Sequence, residues 1–127
     1  MITGVQDFYY NVQDMKKAIA FYTEAFGMTV AHESEYWTTL SFHGHSIGLH
    51  WTEGGSVPGT PRDDHGQHAG GTLTLKSNDV GHDKLRIQKC GGKILGEMKQ
   101  DWGHMLTFED LDGNVLKLMN PVVHDHD

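Results

Sequence analysis

The sequence predicts an α+β chain built from two tandem β-α-β-β-β modules. The first observation is that an alternating stretch followed by a capped helix occurs near the N-terminus and again in the second half. Asp7 lies seven residues before the helix-capping Asp14, and Thr72 lies seven residues before Asp79. The second observation is that glycine follows both helices, as is typical of helix C-termini. A repeated unit of this length indicates duplication.

The first module is expected to open with a strand and to continue with an amphipathic helix. Phe8, Tyr10 and Val12 alternate with Asp7, Tyr9 and Asn11, so one face packs on the helix and the other carries polar groups. Apolar residues at helical spacing predict that the buried helix residues are Met15, Ala18, Ile19, Tyr22 and Phe26. Three further strands are expected at 29–33, 37–42 and 46–52, the last two joined by a turn at 43–45.

The second module is expected to follow the same order. Its strands are predicted at 72–76, 93–99, 104–109 and 114–119, and its helix runs from Asp79 to Cys90. A turn at Asp112 and Gly113 supports the final hairpin. Matching the aromatic residues of the two copies places Trp37 and Trp102 at equivalent positions, each opening the third strand of its module.

The chain is one domain in length, with 127 residues. We divide it into module one (1–52), a linker (53–68), module two (69–121) and a tail (122–127). Each module alone would be only marginally stable, because a short chain buries little apolar surface. The two modules are therefore expected to share a sheet or to exchange one with a partner chain.

Composition excludes several functions. The formal net charge of −7, without a cluster of Lys and Arg, argues against nucleic-acid binding. No apolar run has membrane-spanning length and no signal peptide is visible, so a cytoplasmic protein with no membrane partner is expected. The motifs of phosphate loops, nucleophile elbows and zinc proteases are absent from the sequence.

Two segments resemble the vicinal oxygen chelate superfamily, which groups glyoxalases, bleomycin-resistance proteins and extradiol dioxygenases. They are FYYNVQDMKKAIAFYTEAFGM and GGKILGEMKQDWGHMLTFEDLDGNVLKLMNP. The resemblance implies that the eight strands of a chain form a curved cup that holds a small molecule. It also implies a homodimer.

In metal-using members of the superfamily, ligands come from the first and last strand of each module. The resemblance places Asp7 and Thr72 at the first-strand positions and Gly48 and Lys117 at the last-strand positions. Glycine has no ligand atom, and a lysine ammonium adds positive charge where a cation should sit. We therefore expect the metal to be lost and no cofactor to be present. The alternative is a divalent metal (Zn, Ni, Mn or Fe) held by Asp7, His50 and His68.

The remaining polar and aromatic side chains of the predicted inward faces describe a ligand pocket. Asp7 and Lys117 are expected to approach each other as an ion pair. The residues expected to contact the ligand are Asp7, Tyr9, Asn11, Trp37, His50, Thr72, Trp102, His104 and Lys117.

Two functions from different classes follow from the resemblance. The first is a protein similar to the bleomycin-resistance branch, which binds or sequesters a polar or aromatic small molecule. The second is a divalent-metal-dependent lyase or isomerase of the glyoxalase type, or a dioxygenase-type enzyme, that uses Asp7 and His50.

Overall fold

The structure is a computed structural model that describes residues 1–60, 62 and 67–121. The tail at 122–127 and part of the predicted linker lie outside the described residues. In the first module the elements are β1 (Phe8–Val12), α1 (Met15–Phe26), β2 (Thr29–Glu33), β3 (Trp37–Phe42) and β4 (His45–Trp51). In the second they are β5 (Leu73–Lys76), α2 (Val80–Lys89), β6 (Lys93–Gln100), β7 (Gly103–Glu109) and β8 (Val115–Pro121). The predicted β-α-β-β-β order is confirmed in both.

The chain forms two compact units, Met1–Pro58 and Gly59–Asp127, here called the first and second unit. Each unit contains one four-stranded mixed sheet, in the order β1-β4-β3-β2 and β5-β8-β7-β6 respectively. In each sheet the first and fourth strands of the module pair in parallel, and all other neighbouring strands pair antiparallel. Within the described residues, no helix has the length and apolar character needed to cross a membrane.

Strand register confirms the duplication at the level of single residues. Tyr9 pairs with Gly48 in the first sheet, and Thr74 pairs with Lys117 in the second. Both sheets also carry an irregularity at the same place in the second strand of the module. Gly48 and Lys117 therefore occupy equivalent positions, as the sequence predicts.

The predicted equivalence of the two tryptophans is wrong. Trp37 pairs with His50, and the corresponding pair in the second sheet is Met105 with Met119. Trp102 lies in the turn between β6 and β7 and is 44% exposed. Aromatic identity does not report strand register, and the structural counterpart of Trp37 is Met105.

Both helices begin at the predicted capping residues. The Asp14 carboxylate accepts a hydrogen bond from the Lys17 backbone N–H at 3.1 Å, and the Asp79 carboxylate accepts one from that of His82 at 3.0 Å. α1 ends at Gly27, whose φ of 75° suits glycine. The two aspartate caps satisfy backbone N–H donors that the first helical turn leaves unpaired.

The buried stripe of α1 is rotated from the predicted one. Its buried residues are Met15, Ala18, Phe21, Tyr22 and Ala25. Phe21 and Ala25 replace the expected Ile19 and Phe26, which are only partly buried. Phe26 packs edge-on against the ring of Phe21, with the centroids 5.5 Å apart, at the margin of the core. Both sets of apolar residues fall at helical spacing, so spacing alone does not determine which set is buried.

Each helix covers one face of its own sheet. In β4, Ile47 and Leu49 are buried on the face that packs against α1. Gly48 and His50 alternate with them and therefore belong to the opposite face. This opposite face of the first sheet carries most of the predicted ligand-contact residues.

Candidate functional site

The face of the first sheet opposite α1 carries a cluster of three rings. Tyr9 comes from β1, Trp37 from β3 and His50 from β4. The centroid distances are 5.3 Å for Tyr9 and Trp37, 6.3 Å for Tyr9 and His50, and 6.4 Å for Trp37 and His50. Tyr9 is 52% exposed, His50 is exposed and Trp37 is half-buried. An aromatic surface is therefore accessible here, which is suited to a flat ligand.

Gly48 lies beneath this cluster and makes it sterically possible. A Cβ atom at residue 48 would lie 2.3 Å from Cζ2 of Trp37 and 2.9 Å from Cβ of Tyr9. Both distances are far below a van der Waals contact. The indole of Trp37 thus occupies the space that a side chain at position 48 would need.

Thr39, which sequence reasoning missed, fixes the orientation of this indole. The Nε1–H of Trp37 donates a hydrogen bond to Oγ1 of Thr39 at 2.9 Å. Thr39 pairs with Gly48 in the β3–β4 register and shares the face of Trp37. Alternation along β3 could have identified Thr39, because residues two apart in a strand share a face.

Polar groups border the ring cluster. The Nδ1 atom of His50 lies 3.0 Å from Oδ1 of Asn11. With the amide oxygen of Asn11 facing the ring, Nδ1 donates in this contact, which leaves Nε2 available to a ligand. Asp7 precedes β1, is partly exposed and has the same alternation as Tyr9 and Asn11. The structure therefore places four of the predicted ligand-contact residues on one face of the first sheet, namely Tyr9, Asn11, Trp37 and His50, and Asp7 lies directly before β1.

The equivalent face of the second unit has different chemistry. Lys117 is half-buried and takes the position of Gly48, while Met105 and Met119 take the positions of Trp37 and His50. Thr72 lies just before β5, and its hydroxyl is 3.1 Å from Nε2 of His68. Lys117 and Asp7 belong to different units, so their predicted ion pair stays a prediction.

His104 does not join the Lys117 face. It alternates with Met105 in β7 and lies on the same side as buried Leu106. Its Nε2 is 2.6 Å from the carboxylate of Glu97, which also accepts a hydrogen bond from Lys84 of α2 at 2.7 Å. The hydrogen bond from Lys84, followed by that from His104, lowers the pKa of Glu97. His104 thus contributes to an ion-pair network between α2, β6 and β7.

The residues at the implied metal positions do not fit a metal site. Gly48 offers no donor atom, and the indole of Trp37 fills the space above it. Lys117 brings a cation to the equivalent position of the second unit. Among residues 1–60, 62 and 67–121, no three side chains of His, Cys, Asp or Glu are grouped so that they could hold a metal ion.

Comparisons with known proteins agree with this fold. A family model described as the glyoxalase/bleomycin resistance protein/dioxygenase superfamily matches residues 4–118. The fosfomycin resistance protein FosX from Listeria monocytogenes is 19% identical, with a TM-score of 0.75 and 97% of each chain covered. It has also been solved in complex with Mn(II).

A second solved structure is more similar in sequence. The antibiotic binding protein TnmS3 from Streptomyces sp. CB03234 is 29% identical, with a TM-score of 0.67, and the match covers 95% of this chain and 98% of TnmS3. The search of curated proteins finds no match.

Proposed function

The chain belongs to the glyoxalase/bleomycin resistance protein/dioxygenase superfamily, and on this basis we propose that it binds a small planar aromatic or conjugated molecule and sequesters it without transforming it. The observation that carries the proposal is the ring cluster of Tyr9, Trp37 and His50 over Gly48. The name of TnmS3, an antibiotic binding protein, supports the same function.

The ring cluster is well suited to stacking because it is already ordered. The indole of Trp37 is held by its hydrogen bond to Thr39 and by contact with Tyr9. A ligand that stacks on a fixed ring restricts few additional rotamers, so less of the binding free energy is lost to ordering. Aromatic pairs contribute about 0.5–1.5 kcal/mol beyond the burial of their area.

The polar groups at the border of the cluster would orient the ligand. Asp7 supplies a carboxylate, and Nε2 of His50 would accept a hydrogen bond when the ring is neutral and Nδ1 donates to Asn11. A ligand that carries a cationic or hydrogen-bond-donating substituent beside its ring system would match both groups. We therefore propose Asp7, Tyr9, Asn11, Trp37 and His50 as the binding residues of the first unit.

Binding without a metal is favoured over metal-dependent catalysis by the donor set. The indole of Trp37 occupies the place of a ligand side chain at position 48, and a lysine stands at position 117. The FosX complexes with Mn(II) come from a protein only 18% identical. The similarity to FosX therefore supports the shared fold and carries no metal chemistry to this chain.

For the assembly we propose a homodimer, as the superfamily resemblance implies. Sedimentation velocity at micromolar concentration is expected to give the mass of two chains. A stable monomer would refute the dimer and leave the ring cluster of the first unit unaffected.

Fluorescence titration with two antibiotics tests the proposed function. Bleomycin contains a planar bithiazole, whereas fosfomycin is a small phosphonate without an aromatic group. Bleomycin is expected to change the tryptophan emission in the presence of a chelator, and fosfomycin is not. Trp37→Leu should weaken the bleomycin interaction about tenfold, whereas Trp102→Leu should leave it unchanged. Equal binding of both antibiotics, or full affinity in Trp37→Leu, would refute the proposal.

A further inference from the structure

A cleft of about 620 Å³ lies at the N-terminal end of α1 in the first unit. Its walls come from the start of α1, the segment after β2 and the end of β4. The residues that matter for its chemistry are Trp51, Met15, Asp14, Glu33 and Glu35. Met15 is buried and forms an apolar part of the lining.

Trp51 gives the cleft a fixed aromatic wall. Its Nε1–H donates a hydrogen bond to the backbone carbonyl of Gln13 at 3.0 Å, which anchors the indole beside α1. The ring of Tyr36 packs against Trp51 with centroids 5.6 Å apart and an interplanar angle of 45°. Tyr36 remains 49% exposed. Trp51 lines the cleft, and the Tyr36 ring extends this aromatic surface beyond the lining residues.

The charges around these rings are predominantly negative. Three carboxylates line the cleft, and Lys16, which also lines it, forms an ion pair with Glu33 at 2.8 Å. The negative charge of Glu35, followed by that of Glu53, raises the pKa of Tyr36. Glu35 and Glu53 thus place negative charge beside the Tyr36 ring, which favours a cation over an anion there.

We propose that this cleft binds a small organic cation with a quaternary or methylated ammonium group. Trp51 and Tyr36 would contact the methyl groups through cation–π attraction, and Glu35 would supply the counter-charge. The combination of a cleft, paired rings and surrounding carboxylates carries the proposal. None of these elements is used by the ring cluster over Gly48.

The cleft and the ring cluster are separate sites. Trp51 follows His50 in β4, and successive residues of a strand point to opposite faces. The cleft therefore lies on the α1 side of the sheet, and the ring cluster lies on the other side. Failure of one proposal leaves the other intact.

Titration of the full chain with choline, monitored by ¹H–¹⁵N NMR, tests the cation site. The three tryptophans each give one indole N–H signal, and Trp51→Phe assigns that of Trp51. Choline is expected to shift the Trp51 signal and to leave the Trp37 signal in place. The matched control is 3,3-dimethyl-1-butanol, which has nearly the same shape without the charge and should cause no saturable shift.

Two pairs of variants separate binding from a structural effect. Tyr36→Leu should weaken choline binding about two- to fivefold, whereas Tyr36→Phe, which keeps the ring, should not. Glu35→Gln should weaken it by a similar factor. Glu24→Gln, with the same charge change in the last turn of α1, should not. Backbone amide spectra confirm that each variant is folded.

Four outcomes would overturn the cation site. They are an unmoved Trp51 signal at tens of millimolar choline, an equal response to the neutral analogue, wild-type affinity in Tyr36→Leu, and equal losses in Glu24→Gln and Glu35→Gln. A shift of the Trp37 signal alone would assign choline to the other face and would also refute the cleft.

Discussion

Replacing Gly48 by Ala is expected to disrupt the ring cluster that carries the proposed function. The new methyl group would lie 2.3 Å from Cζ2 of Trp37, where carbon atoms normally stay about 3.5 Å apart or more. The indole would have to move by about 1.2 Å. Such a movement strains or breaks its hydrogen bond to Thr39 and its contact with Tyr9.

The free energy of unfolding should fall in this variant although alanine is normally the better strand residue. Overpacking costs about 1–3 kcal/mol. The lower conformational entropy of the unfolded chain returns about 0.5–1 kcal/mol when glycine becomes alanine. We therefore expect a net loss of about 1–2 kcal/mol and a displaced Trp37 indole.

Urea denaturation combined with ¹H–¹⁵N spectra of the indole groups measures both effects. Gly96→Ala in β6 is the matched control, because a Cβ atom there has no neighbour within 4 Å, and it should be neutral or slightly stabilising. If Gly48→Ala matched Gly96→Ala in stability and kept the wild-type Trp37 signal, the packing of the indole over Gly48 would be refuted.

Three further predictions concern the ring cluster and the ion-pair network of the second unit. Asp7→Asn should lower ligand affinity about ten- to a hundredfold, the equivalent of a charge-assisted contact worth about 1.5–3 kcal/mol, as measured by fluorescence titration. Thr39→Val removes the acceptor of the Trp37 indole and should weaken ligand binding severalfold in the same assay. Glu97→Gln should make the free energy of unfolding, measured by urea denaturation, depend less on acidic pH. The lowered pKa of Glu97 contributes stability that is present above pH 4.5, the ordinary pKa of a glutamate, and that is lost as the pH falls through the pKa of Glu97 in the folded chain.

Each of these predictions has a contradicting result. Wild-type affinity in Asp7→Asn would exclude a role for this carboxylate, and a wild-type Trp37 indole signal in Thr39→Val would show that the threonine does not orient the ring. For Glu97→Gln, a stability loss on acidification equal to that of the wild-type chain would mean that the contacts of Glu97 with Lys84 and His104 do not stabilise the fold.

The repeated spacing predicted the fold because caps and strand alternation are local properties. Asp14 and Asp79 cap their helices as expected, and Gly48 is equivalent to Lys117. The register between strands is not local, however. Aromatic identity therefore pairs Trp102 with Trp37 in the sequence, although Trp102 lies in the turn between β6 and β7.

The candidate site was predictable only in part for the same reason. Alternation placed Tyr9 and Asn11 together, and the resemblance drew attention to position 48. The packing of the Trp37 indole over Gly48 depends on a rotamer and on cross-strand register, neither of which is encoded in residue spacing. The network of Lys84, Glu97 and His104 likewise depends on contacts between separate elements.

Titration of the Trp37 indole signal with bleomycin, with and without added Zn(II), tests most directly whether this aromatic face binds a planar ligand without a metal. The indole is assigned with Trp37→Leu, protein and ligand are kept in chelator for one arm, and the recovered bleomycin is examined by mass spectrometry. We predict the same saturable shift in both arms and unchanged bleomycin. A shift that requires Zn(II), or recovery of a chemically altered ligand, would contradict metal-free binding and support the enzyme alternative.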